Sequence, residues 1–294
     1  YKRQSMTNTI RSDGWTLRTR RLSFGSLPVI MGIVNVTPDS FSDGGKFFDP
    51  QAAVDHGLQL VHDGAGILDV GGESTRPYSV PVPVQDELAR VMPVIEKLVA
   101  STDVPISIDT SKAVVAHEAV AAGAEIINDV TGLEGDPEML SVAKEVQAGI
   151  CAMHMQGTPQ TMQDAPIYDD VVEDIFGYLQ ARRDALLSAG IDRERICLDP
   201  GIGFGKTHAH NLQLLQSSDH FHQLGCPVLV GHSRKGFIAH LLDDRECERM
   251  SGTVGAALGL ATQGIQIIRV HDVAELNRAL ILFQQTFPDG KLSR

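Results

Sequence analysis

The chain is short of the residues that mark secretion, membranes or nucleic acid. It has 4 cysteines in 294 residues, at Cys151, Cys197, Cys226 and Cys247, widely spaced and without a C-x-x-C pair. A disulfide framework is therefore not expected; thiols scattered in or beside apolar runs read as small core residues of a reducing, cytoplasmic compartment. Cations are scarce too, 25 Lys and Arg against 37 Asp and Glu, for a net charge of −12. Nucleic acid is bound by clustered cations that displace counterions, so it is not an expected partner. Any anionic substrate must meet a local cluster of donors instead. No apolar run reaches the roughly 18 residues of a membrane span. Tyr1–Ile10 lacks the apolar stretch of a signal peptide. Residues 1–14 and 289–294 are read as tails, leaving one domain over 15–288.

What the sequence does have is an eightfold alternation of strand and helix. The apolar runs are Val29–Asn35, Ile67–Gly71, Ile106–Asp109, Ile126–Asp129, Ile150–His154, Ile196–Asp199, Val228–Gly231 and Ile267–Val270. Nearly continuous apolar runs suit parallel strands buried on both faces. Between them, stretches such as Pro50–Asp63, Val84–Ala100, Ser111–Ala122 and Asp169–Ala189 repeat apolar residues three and four apart, as amphipathic helices do. Eight such units in this length predict a (β/α)8 TIM barrel rather than an open doubly wound sheet. A weak hairpin over 15–27 is expected to cap the N-terminal end of that barrel.

Polar residues collect just where the apolar runs end: Asn35, Asp69, Asp109, Asn128, His154, Asp199, His232, and Arg269 with His271. One such residue reads as a helix N-cap. Eight in succession describe a polar pocket at the C-terminal face of a barrel, where catalytic loops converge. Commoner motifs fail on inspection. Gly201–Thr207 ends like a phosphate-binding Walker loop, but Pro200 stands where its first glycine belongs, and Lys206 spoils the dinucleotide pattern. Gly231–Lys235 resembles a nucleophile elbow, but Lys235 replaces the last glycine. His208 with His210, and His220 with His222, lack carboxylate or thiol partners at metal-ligand spacing, and read as solvated loop or helix-start residues.

Eight segments carry a family resemblance: MGIVNVTPDSFSDGGKF (31–47), DVGGESTRP (69–77), SIDTSK (107–112), IINDVTG (126–132), MHMQGTPQTM (153–162), LDPGIGFGKT (198–207), GHSRKGFI (231–238) and RVHDV (269–273). In this order, each at the end of one strand, they resemble the dihydropteroate synthases, the pterin-binding enzymes that sulfonamides target. The resemblance implies condensation of 6-hydroxymethyl-7,8-dihydropterin diphosphate with 4-aminobenzoate, usually with Mg2+. It implies that Asp109, Asn128, Asp199 and Lys235 bind the pterin, with Met153 and Phe204 against the ring. Buried carboxylates and amides suit that donor-rich edge, since donors left unpaired are costly. Arg269 and His271 would face the diphosphate, with Thr75 and Asn35 beside it, and Asn35 would be the Mg2+ ligand. Asp39, Phe41, Thr75, Arg76, Pro77, Phe204 and Ser233 would close around 4-aminobenzoate, the first five from glycine-bearing lids at 36–47 and 71–82.

On this reading diphosphate leaves first, drawn off by Arg269, His271 and the cation, and anionic Asp109 stabilises the pterin methylene cation. Asp109, Lys235, Arg269, His271, Asp39 and Arg76 form the catalytic set. Three positions depart from the family pattern: Tyr78 where a small residue is expected, Gly236 where serine is common, and Ala209 where an acid is frequent. Methyltransferases acting on methyltetrahydrofolate lack both lids, and a non-catalytic pterin binder would lose Asn35, Arg269 or His271. All of these features are present here. The helices expected at 250–263 and 273–287 are candidates for a homodimer contact.

Overall fold

The computed structural model describes residues 11–37, 49–244, 246 and 248–287. A short antiparallel hairpin, β1 (Gly14–Thr16) and β2 (Arg21–Ser23), comes first. Eight parallel strands follow: β3 (Val29–Asn35), β4 (Ile67–Gly71), β5 (Ile106–Asp109), β6 (Ile126–Asp129), β7 (Gly149–Met153), β8 (Ile196–Asp199), β9 (Leu229–Val230) and β10 (Ile267–Val270). Each pairs with its sequence neighbour, and β10 returns to β3. The ring closes between β8 and β9 through the single pair Leu198–Val228. Closure excludes the open sheet.

Helices α1 (Pro50–His62), α2 (Val84–Ser101), α3 (Ala113–Ala121), α4 (Met139–Val146), α5 (Val171–Ser188) and α6 (His208–Gln216) follow β3 to β8. Two helices, α7 (Gly236–Leu241) and α8 (Met250–Thr262), follow β9, and α9 (Val273–Thr286) follows β10. Local chemistry sets their starts. Asp49 accepts from the Gln51 amide with Pro50 at the first position of α1, and Asp170 accepts from the Val172 and Glu173 amides of α5. In α2, Val91, Val94, Ile95 and Leu98 recur three and four apart and are all fully buried against the barrel. Leu98→Ala would open a cavity there and cost about 2–5 kcal/mol.

Inside the ring the side chains stand in layers. Met31, Ile67, Ile126, Cys151, Cys197, Leu229 and Ile267 form an apolar floor with Trp15 and Leu17 of the hairpin region beneath. Strand side chains repeat on one face every two residues. The next inward positions are therefore Asp69, Asn128, Met153, Asp199 and Arg269. One apolar layer and one layer for chemistry, a step apart, explain why polar residues collect near the ends of the runs.

The hairpin is clipped on firmly. Trp15 Nε1 donates to the Arg195 carbonyl at 2.8 Å, and buried Glu125 accepts from Thr19 Oγ1 at 2.9 Å while pairing with Arg20 at 2.8 Å. Gly14 is already in β1, one residue before the start expected for the hairpin, and Arg11 donates to the Gly25 carbonyl at 3.0 Å. Other differences are small. β7 runs one residue ahead of the expected run, leaving His154 outside it, β9 keeps only Leu229 and Val230, and α3 starts at Ala113. Cys151, Cys197 and Cys226 are buried free thiols, as expected of core residues, while Cys247 lies outside the described residues. His222 is not solvated: it is 6% exposed and bonds the Gln263 carbonyl.

Candidate active site

Arg269 lies at the centre of the chemistry-bearing layer. Its Nε donates to Asp69 Oδ2 at 2.6 Å and its Nη2 to Asp109 Oδ2 at 2.7 Å. Asn128 Nδ2 donates to the same Asp69 oxygen at 3.0 Å. Four strands thus meet in one network, since β4, β5, β6 and β10 each contribute one member. Asp109 is not a helix cap; α3 begins after Lys112, and its Ala113 amide donates to Asp136. Nor is Arg269 a surface ion pair, because Asp69 is fully buried and Asp109 nearly so.

A second group gathers across the mouth. Lys235, at the start of α7, donates to the Ile202 carbonyl, and its Nζ stands 4.5 Å from the centroid of the Phe204 ring. That is cation–π distance. Asp199 accepts from the Gly201 amide at 2.7 Å, and Met153 is buried beside Gly201. Gly201 turns at φ +67°, where a Cβ would sit 2.0 Å from the His154 carbonyl. Only glycine allows the loop after β8 to cross so close. That loop is held by side chains along its length. Gln163 donates to the Gly203 carbonyl (2.8 Å), Tyr168 to the Gly205 carbonyl (2.7 Å) and Lys206 to the Phe204 carbonyl (2.8 Å). Lys206 is 2% exposed and also reaches His154 Nδ1 at 3.0 Å.

His271 follows β10, and its Nδ1 lies 3.0 Å from Ser233 Oγ, which also accepts from the His271 amide at 3.2 Å. Arg76, exposed on the loop after β4, is close enough to His271 to act on its charge. Thr75 is half-buried and Pro77 exposed on the same loop, outside the central network. Asn35 ends β3, in register with Gly71. The structure therefore brings together Asp109, Asn128, Asp199, Met153, Lys235, Phe204, Arg269, His271 and Ser233. Asp39 and Phe41 lie outside the described residues.

Burial dominates the ionisation of this layer. Asp109 is raised to about 7: burial lifts it, Arg269 opposes, and the nearby Asp69, Glu87 and Asp129 lift it further. Burial also raises Asp199, against the Gly201 amide and Lys235. Lys235 is lowered to about 7, by burial first, with Asp199 resisting. Burial tends to lower Arg269 as well, but Asp69 and Asp109 outweigh it and hold the cation firmly charged. His271 falls to about 4 through burial and the adjoining Arg269 and Arg234, so it is a neutral imidazole near neutrality.

Among the described residues no three His, Cys, Asp or Glu side chains converge as a metal cage. The amide oxygen of Asn35 is a hard donor of the kind Mg2+ accepts when most of its other ligands are water and substrate phosphate. The sequence reading passed over three contributors: Asp69 as the anchor of Arg269 and Asn128, Lys206 as the pin of the β8 loop, and the group Glu73–Lys112–Glu87. The two-residue step from Ile67 to Asp69 was the available signal for the first.

Comparison with known proteins agrees with this geometry. The family model for pterin binding enzymes matches residues 31–271. The dihydropteroate synthase of Haemophilus influenzae is 46% identical over 261 residues, covering 89% of this chain and 94% of the relative. The Yersinia pestis dihydropteroate synthase, solved in a sulfonamide drug complex, superposes with a TM-score of 0.87 at 44% identity, over 94% of this chain and 99% of the other. The Xanthomonas albilineans dihydropteroate synthase with 4-aminobenzoic acid gives a TM-score of 0.87 at 48% identity, over 94% and 98%. With the layer of Asp69, Asp109, Asn128, Asp199 and Arg269 in place, the chain belongs to the pterin binding enzymes, as a member of the dihydropteroate synthase family.

Proposed function

We propose that the protein condenses 6-hydroxymethyl-7,8-dihydropterin diphosphate with 4-aminobenzoate, giving 7,8-dihydropteroate and diphosphate. The observation that carries this is the inward layer itself, where carboxylates and an amide from β4, β5, β6 and β8 surround an arginine from β10. A pterin edge rich in N–H donors needs such acceptors at fixed depth. Asp109, Asn128 and Asp199 accept from that edge, Lys235 bonds its carbonyl side, and Met153 and Phe204 cover the ring.

Arg269 uses two bonds on Asp69 and Asp109, and the guanidinium has five N–H donors in all. Its remaining donors, with neutral His271 and Thr75, receive the diphosphate oxygens, where negative charge grows as the methylene C–O bond breaks. Asp109, raised to about 7 by burial and favoured in its ionised form by Arg269, faces the methylene carbon as a carboxylate above that pH, as the carbon turns cationic. The 4-aminobenzoate nitrogen then forms the C–N bond and sheds its proton to solvent, so no strong base is required. Thr75, Arg76, Pro77, Phe204 and Ser233 hold that second substrate; Asp39 and Phe41, which the family resemblance assigns to the same substrate, lie outside the described residues. Asn35 would hold Mg2+, which when bound neutralises diphosphate charge.

The described residues form no helix long and apolar enough to cross a membrane. The buried free thiols support a cytoplasmic location. A second copy of the chain is the proposed partner, seated on α8 and α9, where Gly255 and Gly259 have open space beside them and Ile281 and Leu282 are exposed. Light scattering gives the mass. The function is tested by diphosphate release from purified protein given the pterin diphosphate, Mg2+ and 4-aminobenzoate. Release that depends on 4-aminobenzoate and collapses in Lys235→Ala is expected. Pterin binding without turnover would overturn the reading in favour of a non-catalytic pterin binder.

A further inference from the structure

Glu87, on the first turn of α2, is fully buried, a rare state for glutamate unless it is paired. Its partner is Lys112, whose Nζ donates to Glu87 Oε2 at 2.5 Å and also to Glu73. Burial alone would lower this ammonium, but the two carboxylates outweigh it and raise its pKa, so it stays charged. The three residues come from different places. Glu73 lies two residues before Thr75 on the loop after β4, Glu87 is on the helix that follows that loop, and Lys112 lies three residues after Asp109.

The surroundings fix the same stretch of backbone. Arg90 Nη1 donates to the Gly72 carbonyl at 2.9 Å, and the Val36 amide donates to the Gly71 carbonyl at 2.7 Å. A Cβ on Gly72 would lie 2.7 Å from Val91 and 3.0 Å from Glu87, so the root of the loop is pressed onto α2. Packing alone would be served as well by apolar residues, because a buried ion group gains little stability over them. Directed charge-assisted bonds supply a fixed direction for the chain leaving β4.

We infer that Glu73 and Lys112 are positioning residues that set where Thr75, Arg76 and Pro77 stand over the mouth of the barrel, and hence the affinity for 4-aminobenzoate. This rests on the reading above that those three residues face that substrate. The side-chain bonds of Glu73 and Lys112 join them to each other and to Glu87, not to a member of the pterin-binding layer. Their effect falls on the second substrate, because the pterin-binding layer is held by Asp69 and Arg269 without them.

The test is steady-state kinetics of Glu73→Gln, Lys112→Met and Glu73→Asp with both substrates, with calorimetric binding of pterin diphosphate in the absence of 4-aminobenzoate. Glu73→Gln leaves the Lys112–Glu87 pair intact and so spares the fold. It is expected to raise KM for 4-aminobenzoate about ten-fold, the loss of one charge-assisted bond, and to leave pterin diphosphate binding within about two-fold. Glu73→Asp, which keeps the charge, should recover part of the loss. Lys112→Met, which also strands the buried Glu87 carboxylate, should raise the same KM and in addition lower Tm. A KM unmoved in Glu73→Gln while wild type turns over normally overturns the inference alone. A parallel loss of affinity for both substrates with a fall in Tm in Glu73→Gln reduces the group to a structural one and overturns it too. Wild type without 4-aminobenzoate-dependent release overturns the proposed function, and this inference with it.

Discussion

The loops after β8 and after β4 both lead into the mouth of the barrel, yet they are held in opposite ways. From Gly201 to Lys206 the first is fastened at successive carbonyls by Gln163, Tyr168, Lys206 and Lys235, and Gly201, Ile202, Gly205 and Lys206 are buried. The second is fastened at its root, through Gly72 and Glu73, and then runs exposed from Arg76 to Tyr78. Its hydrogen bonds there reach the loop after β7, where the Tyr78 amide donates to the Pro159 carbonyl at 2.9 Å and Gln160 to the Ser79 carbonyl at 2.8 Å. The half of the site assigned to the pterin is therefore built in advance, which reduces what binding must order. The half assigned to 4-aminobenzoate has few buried contacts and is free to adapt. Pterin diphosphate entering first, onto a finished surface, follows from that difference.

Removing a member of the built half should have the largest effect. Lys235→Ala loses the bond to the Ile202 carbonyl and the contact with Phe204, and kcat/KM is expected to fall about 10²–10³-fold. A fall under about ten-fold would mean that the preformed half does not carry the chemistry.

The next effect is on pH. Asp109, raised to about 7, becomes neutral as pH falls below that value, while Lys235, lowered to about 7, becomes neutral as pH rises above it. Activity on pterin diphosphate should thus peak near neutrality and drop up to about ten-fold per pH unit on either side. Lys235→Arg keeps its charge at all these values. Its kcat/KM profile should lose the alkaline fall and keep the acid one; an unchanged alkaline limb assigns that limb to another group.

A moderate effect is expected from Lys206→Met. It strands the Phe204 and His154 carbonyls, at a cost of about 1–3 kcal/mol in urea unfolding, and should weaken pterin binding through displaced Phe204. Unaltered binding would show that the loop keeps its shape without this pin. The smallest effect belongs to the adaptable loop. Tyr78 sits in the left-handed region at φ +64° and is 66% exposed. Tyr78→Gly relieves that strain but frees the unfolded chain, so stability should change by less than about 1 kcal/mol. A larger loss in a thermal melt would show that this loop is anchored by the Tyr78 side chain after all.

Much of this was legible in the sequence, for a physical reason. Buried parallel strands must be apolar, so Val29–Asn35, Ile67–Gly71 and Ile126–Asp129 stand out with their ends correct. What escaped were pairings between distant residues. Arg269 and Asp69 are 200 positions apart, and nothing local tells an arginine that one carboxylate will anchor it while another shares it. Lys206 was half legible: Pro200 already argues against a phosphate loop, but nothing local shows that the Lys206 side-chain nitrogen bonds a histidine and two carbonyls instead. His210 was rightly placed at a helix start, where it completes a capping box with Thr207. His222 was misplaced, because His220-Phe221-His222 alone does not reveal that a turn will tuck its last residue against the end of α8.

The floor of the barrel has a spectroscopic consequence. Trp15 is the one tryptophan of the chain, it is fully buried, and its indole N–H is bonded to a carbonyl 180 residues away. An indole that loses this dry seat meets water and shifts its emission to the red. Intrinsic fluorescence of this protein therefore reports one event, the docking of the first strand against the segment that leads into β8. With no second tryptophan to blur the signal, the chain carries its own probe of when the barrel is sealed.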